Sequence, residues 1–139
     1  MATVLKVGLA ALAAQAIGYF SAPAIAPPAA WQYLFLDASN AEENPEHVLT
    51  DFTEIATGGG GRKLATLSVE EVLAGASYKS VLSANWTFTG TLTVNGVVMV
   101  NSAGGDCVPL MRHLWPAPKN VVKDDTLAVI VKMDNRRTA

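Results

Sequence analysis

The sequence has little charge, one cysteine and no excess of basic residues. Only 16% of its 139 residues are charged, and the net charge at pH 7 is −2. Such a balance offers no basic patch to nucleic acid, so no nucleic-acid partner is expected. The longest apolar run is too short for a comfortable transmembrane span, so no membrane partner is expected either. Because a soluble monomer normally carries more charge, we expect partner proteins to cover part of its apolar surface.

Residue types that support catalysis are also scarce. Cys107 is the single cysteine, which excludes an internal disulfide, and the two histidines are His47 and His113. They fall in separate predicted elements, so the sequence predicts neither a nucleophilic triad nor a Cys/His zinc site. The prediction is a protein that is not an enzyme, with no catalytic residues, no cofactor and no metal site.

Two further motifs favour structural interpretations. Residues 58–61 are four glycines, but the following Arg-Lys-Leu lacks the Lys-Ser/Thr step of a phosphate-binding loop. They therefore predict a mobile connection followed by two solvated cations. Adjacent acids are typical of solvated loops and lack the ligand density of a calcium loop. These acid pairs lie at residues 42–43, 70–71 and 124–125.

The sharpest pattern is the alternation at residues 86–94. One parity carries Trp, Phe, Leu and Val, and the other carries four threonines, which predicts a strand with one apolar face. Asn95-Gly96 follows at once and predicts a two-residue hairpin turn, with Val97 and Met99 continuing the apolar face. The threonine face is expected to meet solvent or another subunit.

Other short strands with turns between them predict a mainly β chain. A capping-box pattern from Ser68 to Glu71 predicts one helical turn. Both faces of the last strand are fairly apolar, so it is expected to be central or covered twice. The predicted fold is an antiparallel β-sandwich or jelly-roll-like domain. The ribbon is predicted to begin as a strand at residues 81–89, and residues 91–94 to continue it or to re-enter the sheet after Gly90. The other strands are predicted at residues 31–36, 63–69, 97–100, 108–115 and 126–133, with a strand or irregular edge at 48–55.

Residues 1–28 are predicted to form a helix and a Pro/Ala-rich arm, ahead of the β-sandwich domain at residues 29–139. Apolar residues at helical spacing predict a docking helix within residues 1–16, and three prolines predict an extended linker after it. The same residues also fit a secretory signal peptide. The candidate partner contacts are Val4, Leu5, Leu9, Leu12, Ile17, Tyr19 and Phe20.

Six features follow one another in a distinctive order: an aromatic-rich strand, a glycine-rich segment, a tryptophan strand, an apolar segment that starts at Asn-Gly, a Pro-Ala-Pro step and a last apolar strand. They lie at residues 33–39, 48–67, 86–90, 95–105, 116–118 and 124–133. In this order the chain resembles a group of small virion proteins of tailed bacteriophages. The shared motifs are turn-and-strand patterns and cover most of the chain after Trp31.

The resemblance implies a non-enzymatic capsid decoration (cement) protein that binds the major capsid protein lattice and stabilises the head. It also implies a location on the capsid surface of the virion and a homo-oligomer, with a trimer favoured. A tail- or fibre-associated virion protein is the nearest alternative. A secreted β-sandwich module that binds carbohydrate also stays open, with Trp31, Trp86 and Trp115 as candidate stacking platforms.

Overall fold

The computed structural model describes residues 2–8, 10, 33–73, 77–104 and 107–136. The chain is mainly β, and every strand pairing in the described part is antiparallel, which confirms the predicted fold class. The strands are β1 (Ala2–Val4), β2 (Tyr33–Asp37), β3 (Lys63–Leu64), β4 (Thr66–Leu73), β5 (Ser77–Thr87), β6 (Leu92–Val100), β7 (Pro109–Val121) and β8 (Thr126–Arg136).

Two sheets pack face to face. The five-stranded sheet has the order β1-β7-β6-β2-β3, and the three-stranded sheet has the order β4-β5-β8. Alternate residues of β5 and β6 point into the space between them, because successive strand side chains face opposite sides. This main core includes Leu82, Trp86, Val97 and Met99, all buried.

The five-stranded sheet is also covered on its outer face. Phe35, Val98 and Val100 pack there against Leu5 and Phe52. The sheet is thus buried on both sides, and β6 is buried without interruption from residue 94 to residue 100. No helix among the described residues is long and apolar enough to cross a membrane.

The predicted ribbon at residues 86–94 is divided between the two sheets. Trp86 belongs to β5 and Val94 to β6, and the chain crosses from one sheet to the other around Gly90. The predicted faces are confirmed, since Trp86, Phe88 and Val94 are buried and the four threonines are exposed. The prediction that residues 86–94 form one arm of a hairpin was wrong. The alternation of apolar and polar residues reflects burial and does not indicate which sheet a strand joins.

Asn95-Gly96 is not a turn. Both residues lie inside β6, at an irregularity in its pairing with β7. A Cβ on Gly96 would lie 2.4 Å from the carbonyl oxygen of His113, so glycine permits a close backbone approach here. The Asn95 amide donates to the carbonyl of Ala38 at 2.8 Å, which holds the irregularity against the loop after β2.

Two other local predictions were wrong, those for residues 68–71 and for β8, whereas residues 48–55 form the irregular edge that was one of the two predicted alternatives. Residues 68–71 lie within β4 and are not helical. Residues 48–55 form a 3-10 turn at Leu49–Asp51 and one bridge between Glu54 and Asp37. β8 is an edge strand, not a central one, because its only described neighbour is β5.

The glycine-rich connection is anchored rather than mobile, and of its two predicted solvated cations Lys63 is exposed whereas Arg62 is not. Trp86 Nε1 donates to the carbonyl of Gly61 at 2.8 Å. Arg62 is half-buried, its side chain is 8% exposed, and it pairs with Glu54 at 2.6 Å. Gly58 and Gly59 adopt positive φ, which glycine alone reaches without strain.

The first described residues belong to the β domain. Ala2–Val4 pairs with β7, so the predicted helix does not include them, and helical backbone occurs at residues 6–8 and 10. The predicted boundary between residues 28 and 29 lies outside the described part of the chain.

Candidate functional site

A groove opens between β7 and the edge of β8 that faces away from β5, where the described residues form no further strand. Its origin is an offset in β7, where Leu114 pairs with Gly96 but Lys119 pairs with Val94. Residues 115–118 therefore have no partner in β6. Two of them are prolines, which lack the N–H that a strand neighbour would need. This middle stretch of β7 is thus released from regular pairing, and Trp115 within it lines the groove.

The groove encloses about 440 Å³, a volume typical of ligand and peptide sites. Val97 and Met111 form its apolar floor, and six consecutive residues of β8, Leu127 to Lys132, form the opposite wall. His113 and Trp115 line the β7 side and meet edge to face, with ring centroids 5.8 Å apart.

The charged side chains of the groove are positive. Lys119 lies over the Trp115 ring, 5.4 Å from its centroid, and Lys132 pairs on the outer side with Glu70 at 3.0 Å. None of the described lining residues is acidic. Burial lowers the pKa of His113, with the positive charge of Arg112 among the smaller causes. The groove therefore favours an apolar ligand that also carries negative charge.

β1 extends the floor beyond the groove. Val4 pairs directly with Met111, and opposed residues on neighbouring strands point to the same face. Since Met111 belongs to the main core, Val4 also faces inward. Its side chain is nevertheless 44% exposed. The three-stranded sheet thus ends at β8 and leaves β1 uncovered.

A second uncovered apolar area lies on β4. Leu67 is opposite Leu82, and Val69 is opposite Ser80, so all four side chains face inward. Leu82 is buried, but Leu67 is 50% exposed and Val69 is 71% exposed. The five-stranded sheet therefore does not cover this part of the inner face. We call Leu67 and Val69 the β4 patch.

The predicted partner contacts have different positions. Leu5 is buried in the protein's own second core, and its amide donates to the carbonyl of Leu110 at 2.7 Å. Its side chain is thus not available to a partner, which corrects the prediction for this residue. Val4 is exposed, as described above. The remaining candidates, Leu9, Leu12, Ile17, Tyr19 and Phe20, lie outside the described residues.

The structure does not bring the possible catalytic side chains together. His47 packs on Phe52, with ring centroids 5.7 Å apart, and His113 packs on Trp115. Cys107 accepts a long hydrogen bond from Arg62 at 3.6 Å. The carboxylate of Glu54, which also accepts from Arg62, raises the pKa of that guanidinium. Within the described ranges, no three His, Cys, Asp or Glu side chains cluster as metal ligands.

The tryptophans separate into a core residue and a groove residue. Trp86 is fully buried, so it cannot stack on a ligand. Trp115 is half-buried and lines the groove. Trp31 lies outside the described residues.

The sequence interpretation missed the groove and the β4 patch. Both depend on where one sheet ends over the other, which a strand's own pattern does not specify. One local signal did exist, since Pro116 and Pro118 follow Trp115 directly and mark the unpaired stretch of β7. No protein-family model, curated protein or solved structure matches the chain.

Proposed function

We propose that this protein is a non-enzymatic structural component of a phage virion, a decoration protein that binds the major capsid protein lattice and stabilises the head. The observation that carries the proposal is the exposed apolar surface on the inner face of the sandwich. A protein that fastens to a lattice obtains most of its affinity from such surface, with few charges at the centre of the contact.

The β4 patch is the part of that surface on which the proposal rests. Leu67 and Val69 sit side by side on one face, so a partner would bury both at once. Glu70 follows them and pairs with Lys132 on the opposite face, so this ion pair places no charge within the patch. Full burial of an aliphatic side chain contributes about 1.5–3 kcal/mol, so two residues can support a specific contact.

Binding to isolated capsids tests this proposal. We expect the double variant Leu67→Ser/Val69→Ser to bind about tenfold or more weakly, because both anchors lose their apolar contact. Val48→Ser/Val122→Ser is the matched control, since these valines are also exposed but lie away from the patch. Equal urea midpoints for the two variants would show that folding is unaffected. Equal capsid binding by both variants, or none by the native protein, would refute the proposal.

The number of copies on purified virions distinguishes the head from the tail. A decoration protein occupies the repeating capsid lattice, so its copies should number on the order of hundreds. A few copies, matching the symmetry of the tail, would instead support the alternative of a tail- or fibre-associated protein. Quantitative mass spectrometry against the major capsid protein measures this ratio.

A second candidate function, carbohydrate binding, is favoured by one observation. Trp115 lines an open groove together with His113 and Lys119, and an aromatic ring with polar neighbours suits a sugar ring. Binding to a glycan array that is lost in Trp115→Ala and kept in Leu64→Ala would support it. Leu64 is an exposed residue of β3 and is not part of the groove.

A further inference from the structure

We infer that the edge of β8 with which no other described strand pairs accepts an extended strand from a partner protein, which adds to the three-stranded sheet and covers the groove beside β7. This inference rests on the proposed function only in taking the partner to be a protein, and it concerns a surface distinct from the β4 patch. It depends on how the edges of the two sheets differ.

Three of the four described sheet edges carry features that discourage further pairing. β1 and β3, the edges of the five-stranded sheet, have three and two residues. β4 carries Glu70 and Glu71 and an irregularity after them. Shortness, charge and bulges are the means by which proteins keep edge strands from pairing with other chains.

β8 has none of these features over residues 126–131. The segment reads Thr-Leu-Ala-Val-Ile-Val, without charge, proline or glycine. All eleven residues of β8 pair with β5 in unbroken register. Ile130, on its outer face, is 63% exposed. A regular apolar edge of this length is a template for another strand, because its outward N–H and C=O groups match those of an extended backbone.

The space beside β8 has the shape that such a strand needs. An added strand would lie above β1, with alternate side chains pointing down towards Val4, His113 and Trp115. The six lining residues of β8 span roughly 20 Å at the usual rise of a strand. The groove would thus take about three inward side chains from a segment of six residues.

The occupant is a segment of another protein rather than β8 of a second copy. β8 faces β7 across the groove, and β1 lies one strand further out on the same side. If a second copy paired through its own β8, that β8 would be the added strand, and the second copy's five-stranded sheet would lie beneath it. That sheet would then occupy the same space as β1 of the first copy. A single extended segment carries no such sheet. Lys132 points to the outer face and pairs with Glu70, but Lys119 lies over the Trp115 ring in the groove. Because no described lining residue is acidic, the fitting segment alternates apolar side chains and carries a negative charge that can meet Lys119.

A fused strand tests the edge in the isolated protein, independently of capsid binding. A segment of about six residues alternating valine with threonine, and including one glutamate, is joined after Ala139 by a Gly/Ser linker of about twelve residues, long enough to bring the segment back beside residues 126–131. Because tethering raises its effective concentration to the millimolar range, the strand should pair with β8. Outward-facing amides of residues 126–131 should then exchange hydrogen about tenfold more slowly than in the same fusion with proline at alternate positions.

Val4→Asp should weaken the protection, because a charge would lie under the added strand, whereas Val48→Asp should not. Equal exchange in the strand and proline fusions would overturn the inference. So would an unfused protein that forms a concentration-dependent dimer with these amides already protected, since the occupant would then be a second copy. Loss of capsid binding with intact protection would reject the proposed function alone.

Discussion

Arg112 and Asp37 form a buried ion pair that fastens the loop after β2 to the five-stranded sheet. The guanidinium Nη2 lies 3.0 Å from the carboxylate Oδ2, and the two side chains are 2% and 0% exposed. Arg112 also donates to the carbonyls of Ala41 and Ser39, and Asp37 accepts from the backbone N–H of Thr53. Both charges therefore have partners, which is the condition under which buried charge is tolerated.

Replacing Asp37 by alanine should destabilise the protein strongly. The change leaves the Arg112 charge buried without its carboxylate, which costs about 3–5 kcal/mol in comparable cases. Urea denaturation measures the loss in the free energy of unfolding. Glu70→Gln is the control, because Glu70 and Lys132 are 49% and 47% exposed and such pairs contribute at most about 1 kcal/mol. Similar losses in the two variants would show that the buried pair is not what holds the loop.

The glycine-rich connection should depend on Gly59 in particular. This residue has φ of +80°, and a Cβ would lie 2.4 Å from the carbonyl oxygen of Thr87. We expect Gly59→Ala to lower the free energy of unfolding by about 1–3 kcal/mol, because both the backbone conformation and the contact become unfavourable.

Gly90→Ala is the matched control, since nothing lies within 4 Å of a Cβ there. It should change stability by less than about 1 kcal/mol. Thermal denaturation of the two variants side by side is sufficient to compare them. A Gly59→Ala protein as stable as Gly90→Ala would mean that the connection is adaptable, as the sequence interpretation had it.

The sequence pattern predicted which side chains of a strand are buried, but it did not predict which strands lie next to one another. The alternation from Trp86 to Val94 identified the buried side chains, because burial imposes the two-residue period directly. It could not show that Gly90 carries the chain from one sheet to the other, since each strand keeps the same alternation in either sheet. The turn prediction at Asn95-Gly96 was wrong for a related reason. Glycine occurs where two backbone segments approach closely as well as in turns.

The candidate site was harder to foresee than the fold. Val4 is both apolar and exposed because β1 extends past β8, and that follows from the relative width of two sheets. Leu67 and Val69 are exposed because the sheet above them ends. In β8 the apolar outer face suggested a covered strand. In the part of the chain that the structure describes, nothing covers this face, and the strand that we infer beside it would be supplied by a partner.

Leu5 should contribute to folding, whereas Val4 should not. Leu5 is buried with Phe35 and Val98, so Leu5→Ala leaves a cavity and should cost about 2–5 kcal/mol. Val4→Ala removes a side chain that is 44% exposed and should cost about 1 kcal/mol or less. Urea midpoints of the two variants measure the difference. An unchanged midpoint for Leu5→Ala would show that the N-terminal residues do not dock on the sheet in solution.

The imidazole of His113 should make stability depend on pH in mildly acidic solution. Burial is the main cause that lowers its pKa, so the unfolded chain binds a proton more readily than the folded protein. Its neutral form therefore supports the fold fully above the unfolded value of about 6.5, and this contribution decreases as the pH falls towards the lower folded pKa. The free energy of unfolding should therefore decrease less between about pH 7 and pH 5 in His113→Gln than in the native protein. In the control His47→Gln, the decrease caused by His113 should remain. An NMR titration of the His113 ring measures the folded pKa directly, and a midpoint above about 6.5 would contradict the burial that the groove imposes on this side chain.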